Sequence, residues 1–332
     1  MLVRSPLSLV MMLLTAGLLP AAEPPGNPIY DQPLAAAADP DFAIQGEYAG
    51  QLDTGLGPIK TGARVIALGN GTFHTVLYLG GLPGEGWNKE VYEGDGVMKD
   101  GAAVFQQPQG SGRIQNGTLT MTTSEGDVVG TLSRTERKSP TLGQKPPEGA
   151  VVLFDGKSAA AFDNARITDD GLLIPPATSR QKFASCQLHL EFRTPYMPQA
   201  RDQGRGNSGC YLQGRYEVQI LDSFGLAGKN NECGGIYSVK DPDSNLCYPP
   251  LTWQTYDIDY TTADYDASGK KLKNARMTVR HNGVVIHENV ELPRATTAAP
   301  VAEGPEKGPL YLQDHGNPVR FRNIWIVEKS GG

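Results

Sequence analysis

The chain has 332 residues, room for about two domains, and its 36 acidic against 30 basic side chains leave a net charge of −6. That balance offers no electrostatic footprint for nucleic acid, which is excluded as a partner. With 40 glycines, 25 prolines and no segment of clear helical periodicity, the composition predicts short strands and turns.

In chain order, residues 1–22 read as a signal peptide: Arg4, an apolar run over 7–19, then Ala21-Ala22 at a cleavage position. The run falls short of the roughly 20 residues that cross a bilayer, so no membrane span is expected in the mature protein. It is expected in the periplasm or secreted. Residues 23–41, rich in Pro and Ala, read as a flexible linker. Residues 42–137 read as a small all-β domain of unassigned role, with hairpins at Asn70-Gly71 and Asn116-Gly117 and a loop over 80–86. Its His74 reads as structural. Residues 138–149 form a second, Pro-rich linker. From 150 to 329 many alternating segments follow, with a further hairpin at Asn282-Gly283, and the pattern predicts two antiparallel sheets packed as a β-sandwich.

Export makes the four cysteines interpretable, because oxidising compartments permit disulfides. Cys233 and Cys247 flank a loop dense in turn residues, and a bridge between them is expected. Closing about 15 residues would contribute roughly 3 kcal/mol in the chain-entropy model. Cys186 and Cys210 are left as buried thiols or a second bridge. No C-x-x-C spacing indicates zinc. Asp241, Asp243 and Asn245 alternate as in calcium loops, but the Gly and Glu such loops need are missing. The sequence demands no cofactor; a divalent metal stays open.

The chemistry concentrates in 206–223. There Tyr216, Val218 and Ile220 alternate with Glu217 and Gln219, so one face meets a core while the other carries hydrogen-bonding groups, joined by Tyr211 and Arg215. A polar sheet face beside aromatics suits a sugar. A solvated surface is the plain alternative.

Several stretches together resemble the 3-keto-disaccharide hydrolase family of exported bacterial proteins. They are Leu153-Phe154-Asp155-Gly156-Lys157, Gly206-Asn207-Ser208-Gly209, the run from Gly214 to Ser223, Trp253-Gln254-Thr255-Tyr256-Asp257, Leu312-Gln313-Asp314-His315-Gly316 and Phe321-Arg322-Asn323-Ile324-Trp325. The resemblance implies a concanavalin A-like sandwich (a jelly roll) and glycosides oxidised at C3 as substrates; it does not extend to the N-terminal part.

A 3-keto group acidifies the hydrogen on C2, so a base can remove it and the C1 substituent can leave, with water adding afterwards. Such a site needs a base, a group to hold the enolate oxygen and an acid for the leaving oxygen. Glu217 is the candidate base and His315 the candidate acid or metal ligand. Asn207, Tyr211, Arg215, Gln219, Asp222 and Trp253 are candidates for substrate binding, although alternation places Asp222 opposite Glu217 unless a bulge intervenes. Glu217 paired with Arg215 or Arg193 is the structural alternative.

Two rivals remain at this level. A retaining glycosidase needs carboxyl groups about 5–5.5 Å apart, and in the run Glu217-Val218-Gln219-Ile220-Leu221-Asp222 the middle position is Gln. A lectin-like carbohydrate-binding protein would share the same sandwich.

Overall fold

The computed structural model describes residues 27–53, 55 and 57–329; the expected signal peptide lies outside the described residues. Three dipeptides set the local geometry. Asn70-Gly71, Asn116-Gly117 and Asn282-Gly283 all have both residues at positive φ, between 50° and 80°, the backbone that a tight two-residue hairpin with native twist requires. Each joins adjacent antiparallel strands.

The N-terminal strands are β1 (Gly46–Asp53), β2 (Pro58–Gly69), β3 (Thr72–Leu79), β4 (Val91–Lys99), β5 (Ala102–Gln107), β6 (Gly110–Gln115), β7 (Thr118–Thr123) and β8 (Val128–Thr135). Each pairs with the next, and β8 returns to β1, closing a barrel. Closure leaves no open edge. The barrel's inner core contains Tyr48, Val65, Phe73, Phe105, Ile114, Leu119 and Leu132.

Residues 27–41 depart from the expected flexible linker. Tyr30 makes an isolated bridge to Tyr196, and two short helices, Pro33–Ala36 and Pro40–Ile44, follow. Proline at the helix start needs no N–H partner, and the Asp39 carboxylate caps the second helix at the Asp41 N–H. Ala36, Phe42 and Ile44 pack, with Tyr196 and Leu251, against the barrel core. The helices therefore plug one end of the barrel.

Apart from a two-stranded hairpin, Asp264–Tyr265 with Lys271–Lys273, the C-terminal strands form two antiparallel sheets. One has five strands in the order Phe162–Asp163, Ala177–Phe183, Gly308–Leu312, Ser208–Leu212, Tyr216–Ile220. The other has eight, with Cys186–Arg193 between Arg320–Glu328 and Gln254–Thr261 near its centre. Cys210, Leu212, Tyr216, Val218, Leu310 and Leu312 of the first share one core with Leu188, Leu190, Tyr256, Ile258, Val279 and Phe321 of the second. Among the described residues no helix is long and apolar enough to cross a membrane.

The expected Cys233–Cys247 bridge is not formed. All four cysteines are free and buried. Cys233 meets the Tyr256 hydroxyl at 3.3 Å and Cys247 the Leu221 carbonyl at 3.7 Å. They pack as small core side chains. Cys186 and Cys210 belong to opposite sheets and sit in the same core, where burial pushes both thiols up.

Candidate functional site

The outer face of the five-stranded sheet is set by register. Tyr211 lies opposite Glu217, Gly209 opposite Gln219, and Tyr311 opposite Tyr211. Since Cys210, Val218 and Leu312 turn into the core, alternation turns these five away from it. Local chemistry then closes the space around Glu217. A Cβ on Gly209 would stand 2.2 Å from Glu217 Oε1, so the carboxylate lies directly over a residue that must lack a side chain.

Glu217 is 2% exposed. Burial pushes its pKa up to about 8, and the hydrogen bond from the Tyr211 hydroxyl opposes that only in part. Among the described residues no cation pairs with it. Arg215 donates instead to Ala302 O at 2.8 Å and to Gln213 Oε1 at 2.9 Å, and Arg193 donates to Asp31 O. The expected structural alternative, an ion-paired Glu217, is therefore not what the fold builds. A lone buried carboxyl can be held neutral near pH 7 and ionised just above it, the range a general base needs.

Around this carboxyl the fold assembles hydrogen-bonding groups. Gln313 Nε2 donates to the Tyr211 hydroxyl at 3.2 Å, extending a chain from Glu217 through Tyr211 toward the 313–319 loop. Tyr311 packs against Tyr211 with ring centroids 5.4 Å apart. Asn207 and Gln219 share Gln203: Asn207 Nδ2 donates to Gln203 O at 2.7 Å and Gln219 Nε2 donates to Gln203 Oε1 at 3.0 Å. The Tyr237 N–H donates to the Glu217 carbonyl at 3.2 Å. Of these, Tyr237, Gln203, Tyr311 and Gln313 remain partly exposed and form the approach to the buried groups.

The other expected residues fare differently. His315 is exposed on a loop fastened beside the site, since Asn317 Oδ1 accepts from the Asn207 N–H at 2.7 Å and the Gln313 N–H donates to Gly209 O. Asp222 is held by Arg205 at 2.7 Å, both side chains buried, and also accepts from the Phe224 N–H. Its carboxylate is thus spoken for. Trp253 lies under the guanidinium groups of Arg322 and Arg193, 3.9 and 5.1 Å from its ring centroid, and is not brought to Glu217. Asp241 accepts from Asn230, Asp243 pairs with Lys240 and Asn245 donates to two carbonyls, so the alternating trio does not converge. Among the described residues no group of three His, Cys, Asp or Glu is placed to hold a metal.

Sequence reasoning missed Gln203, Tyr237, Tyr311 and Gly209. Tyr311 had a signal, as an alternate position on a strand already read; Gln203 and Tyr237 come from loops with none. A second polar cluster was missed altogether. On the eight-stranded sheet His189 Nδ1 meets Asp257 Oδ1 at 2.6 Å, and its ring stacks on Trp325 at 5.0 Å. Glu191 beside it accepts from Arg322 Nε at 2.6 Å, from Asn323 and from the Gly143 N–H. His189 and Glu191 are 0% and 1% exposed, covered by residues 138–149, so this cluster fastens the connecting segment.

The family model of the 3-keto-alpha-glucoside-1,2-lyase-like domain matches residues 149–327. A solved structure from Parabacteroides distasonis, provisionally described as a glycosyl hydrolase, is 34% identical over 55% of this chain and 85% of its own, with a TM-score of 0.51. A second structure of the same description and organism is 17% identical over 55% of this chain and 95% of its own, with a TM-score of 0.42. No curated protein matches.

Proposed function

The chain belongs to the 3-keto-alpha-glucoside-1,2-lyase-like domain family, and from that premise we propose that it cleaves 3-keto-glycosides, 3-keto-disaccharides among them, by elimination. Glu217 takes the proton from C2 and the electron pair becomes the enolate of the 3-keto group. That pair then expels the C1 oxygen, which leaves protonated, and water adds to the resulting double bond. The observation that carries this reading is Glu217 itself, a carboxyl enclosed with no cation paired to it among the described residues and raised to about 8. Tyr211, hydrogen-bonded to it, fixes its orientation. Asn207 and Gln219 offer amides to the sugar, and His315 stands on the rim to protonate the leaving oxygen. The sandwich is read as concanavalin A-like and the mature protein as periplasmic or secreted.

A conventional retaining glycosidase is disfavoured because Asp222 is committed to Arg205, leaving Glu217 without the close second carboxyl that mechanism uses. The test is full-length protein incubated with a 3-keto-glucoside and with the parent glucoside. Release from the keto substrate alone is expected. Cleavage of the unoxidised glucoside would replace elimination with glycosidase chemistry, and binding without turnover would favour the lectin-like role. Glu217→Gln is expected to fold and to lose at least about a hundredfold in turnover, the scale of a general base; near-normal activity removes Glu217 from the role.

A further inference from the structure

The barrel is plugged at one end and open at the other. At the closed end the Gly71 N–H donates to Asp41 Oδ2, the Ala67 N–H to Gln45 Oε1 and the Tyr48 hydroxyl to Ile44 O, stitching the second short helix across it. At the opposite end a cavity of about 280 Å³ opens, reaching from Gln107 and Thr123 at the mouth past Leu77 down to Phe105, Leu119 and Met121.

The space has a cause in the register. Around one layer, Gly96 faces Phe105, Phe105 faces Gly112, Gly112 faces Met121, Met121 faces Gly130, and Gly130 faces Leu52. Glycine thus alternates with a large apolar residue on consecutive strands. A Cβ on Gly96 would strike the Phe105 ring at 2.4 Å, and one on Gly112 would press Leu119 and Met121 at 3.2 Å. The glycines let the large side chains lie across the floor, and the next layer toward the mouth stays unfilled. Alternating small and large residues usually fill a small barrel; here they stop one layer short. Tyr92 adds an aromatic ring at the rim, 54% exposed.

We infer that this cup is a binding site for a compact, neutral, hydrophobic ring compound. Size selects the class. An apolar cavity of about 150 Å³ accommodates benzene, so a space nearly twice that suits a two-ring molecule of naphthalene size. Gln107 and Gln109 at the mouth provide amides for one polar substituent, the usual division between apolar walls and a few orienting groups. The site is separate from Glu217, and this inference does not rest on the proposed reaction.

The probe is 2-naphthol, titrated calorimetrically into the full-length protein, with Leu77→Trp to fill the cup and Gln107→Trp to obstruct its mouth. One saturable site with a negative heat-capacity change is expected, weakened at least tenfold in both variants while far-ultraviolet circular dichroism stays unchanged. Should Leu77→Trp fail to fold, the exposed Gln107 position still decides the matter. Absence of saturable binding, or binding that a folded Gln107→Trp leaves unaltered, overturns the inference.

Discussion

Glu217 carries opposite demands at the level of a single residue. Its folded pKa, about 8, lies above the ordinary value of 4.5, so the fold favours the protonated form. That contribution to stability is whole below about pH 4.5 and is lost as pH rises through about 8. A glutamine has no such dependence. Glu217→Gln is therefore expected to melt like the parent at pH 4.5 and above it at pH 9, while turnover collapses. Turnover of the parent is expected to climb with pH on the acid side of about 8, because only the ionised carboxylate accepts a proton. A variant less stable than the parent at pH 9, or a rate flat from pH 6 to 9, would show that Glu217 is not strained by burial as described. Period-2 alternation made Glu217, Gln219 and Tyr211 legible, since it assigns faces. It says nothing of what a side chain meets, so the commitment of Asp222 to Arg205, from a loop 17 residues earlier, could not be read.

Among the elements, the segment at 138–149 departs most from expectation. Its composition read only as a Pro-rich linker, yet Ser139 meets Thr255 at 2.6 Å, Thr141 donates to Asp257 Oδ2 at 2.7 Å, and the Gln144 carbonyl accepts from Asn323 and Trp325. His189 and Glu191 underlie these contacts. Burial alone would lower the His189 pKa, but the carboxylates of Asp257 and Glu191 outweigh it and hold it raised. Its stabilising charge is therefore whole below about 6.5 and lost as pH climbs through the raised value. His189→Phe keeps a ring for Trp325 and removes the charge. Trypsin is then expected to cut after the exposed Lys138 several-fold faster at neutral pH, read by mass spectrometry, because local opening costs less. An unchanged rate would mean that the segment is held without His189. Polar, Pro-rich composition reports the lack of a strand pattern, and it cannot report capture by side chains from strands far along the chain.

The barrel and the sandwich are built against each other across the whole molecule. Arg64 is buried in the barrel wall between Glu47 at 3.0 Å and the Asn245 carbonyl of the sandwich at 3.0 Å, with the Phe224 ring 5.4 Å from its guanidinium. Arg137 bonds Glu47 from the other side and lies over Tyr248. Phe224 enters a cluster with Ile66, Val76 and Tyr78, while Tyr196 and Leu251 join the barrel core. A fragment cut at 150–329 would bare these aromatics. It is expected to melt well below the full chain and to aggregate, whereas equal melting temperature and solubility would establish an autonomous sandwich. The hairpin positions were legible because Asn-Gly turns and alternation are local; closure of the barrel and its plugging depend on pairings that no short window contains.

The contact between Gly209 and Glu217 also makes a statement about evolution. With a would-be Cβ only 2.2 Å from Oε1, the two positions are not free to drift independently. A methyl group at 209 evicts the longer carboxylate, and one methylene less at 217 gives back the room on that side, while the Tyr211 ring, 2.8 Å from the would-be Cβ, must still yield. Gly209→Ala is expected to abolish turnover, and adding Glu217→Asp to restore part of the lost fold, seen as a recovered melting temperature. Such non-additivity is the mark of direct contact. In any relative that carries a side chain at the position of Gly209, the carboxylate opposite is expected to have shortened or gone, and with it the reaction.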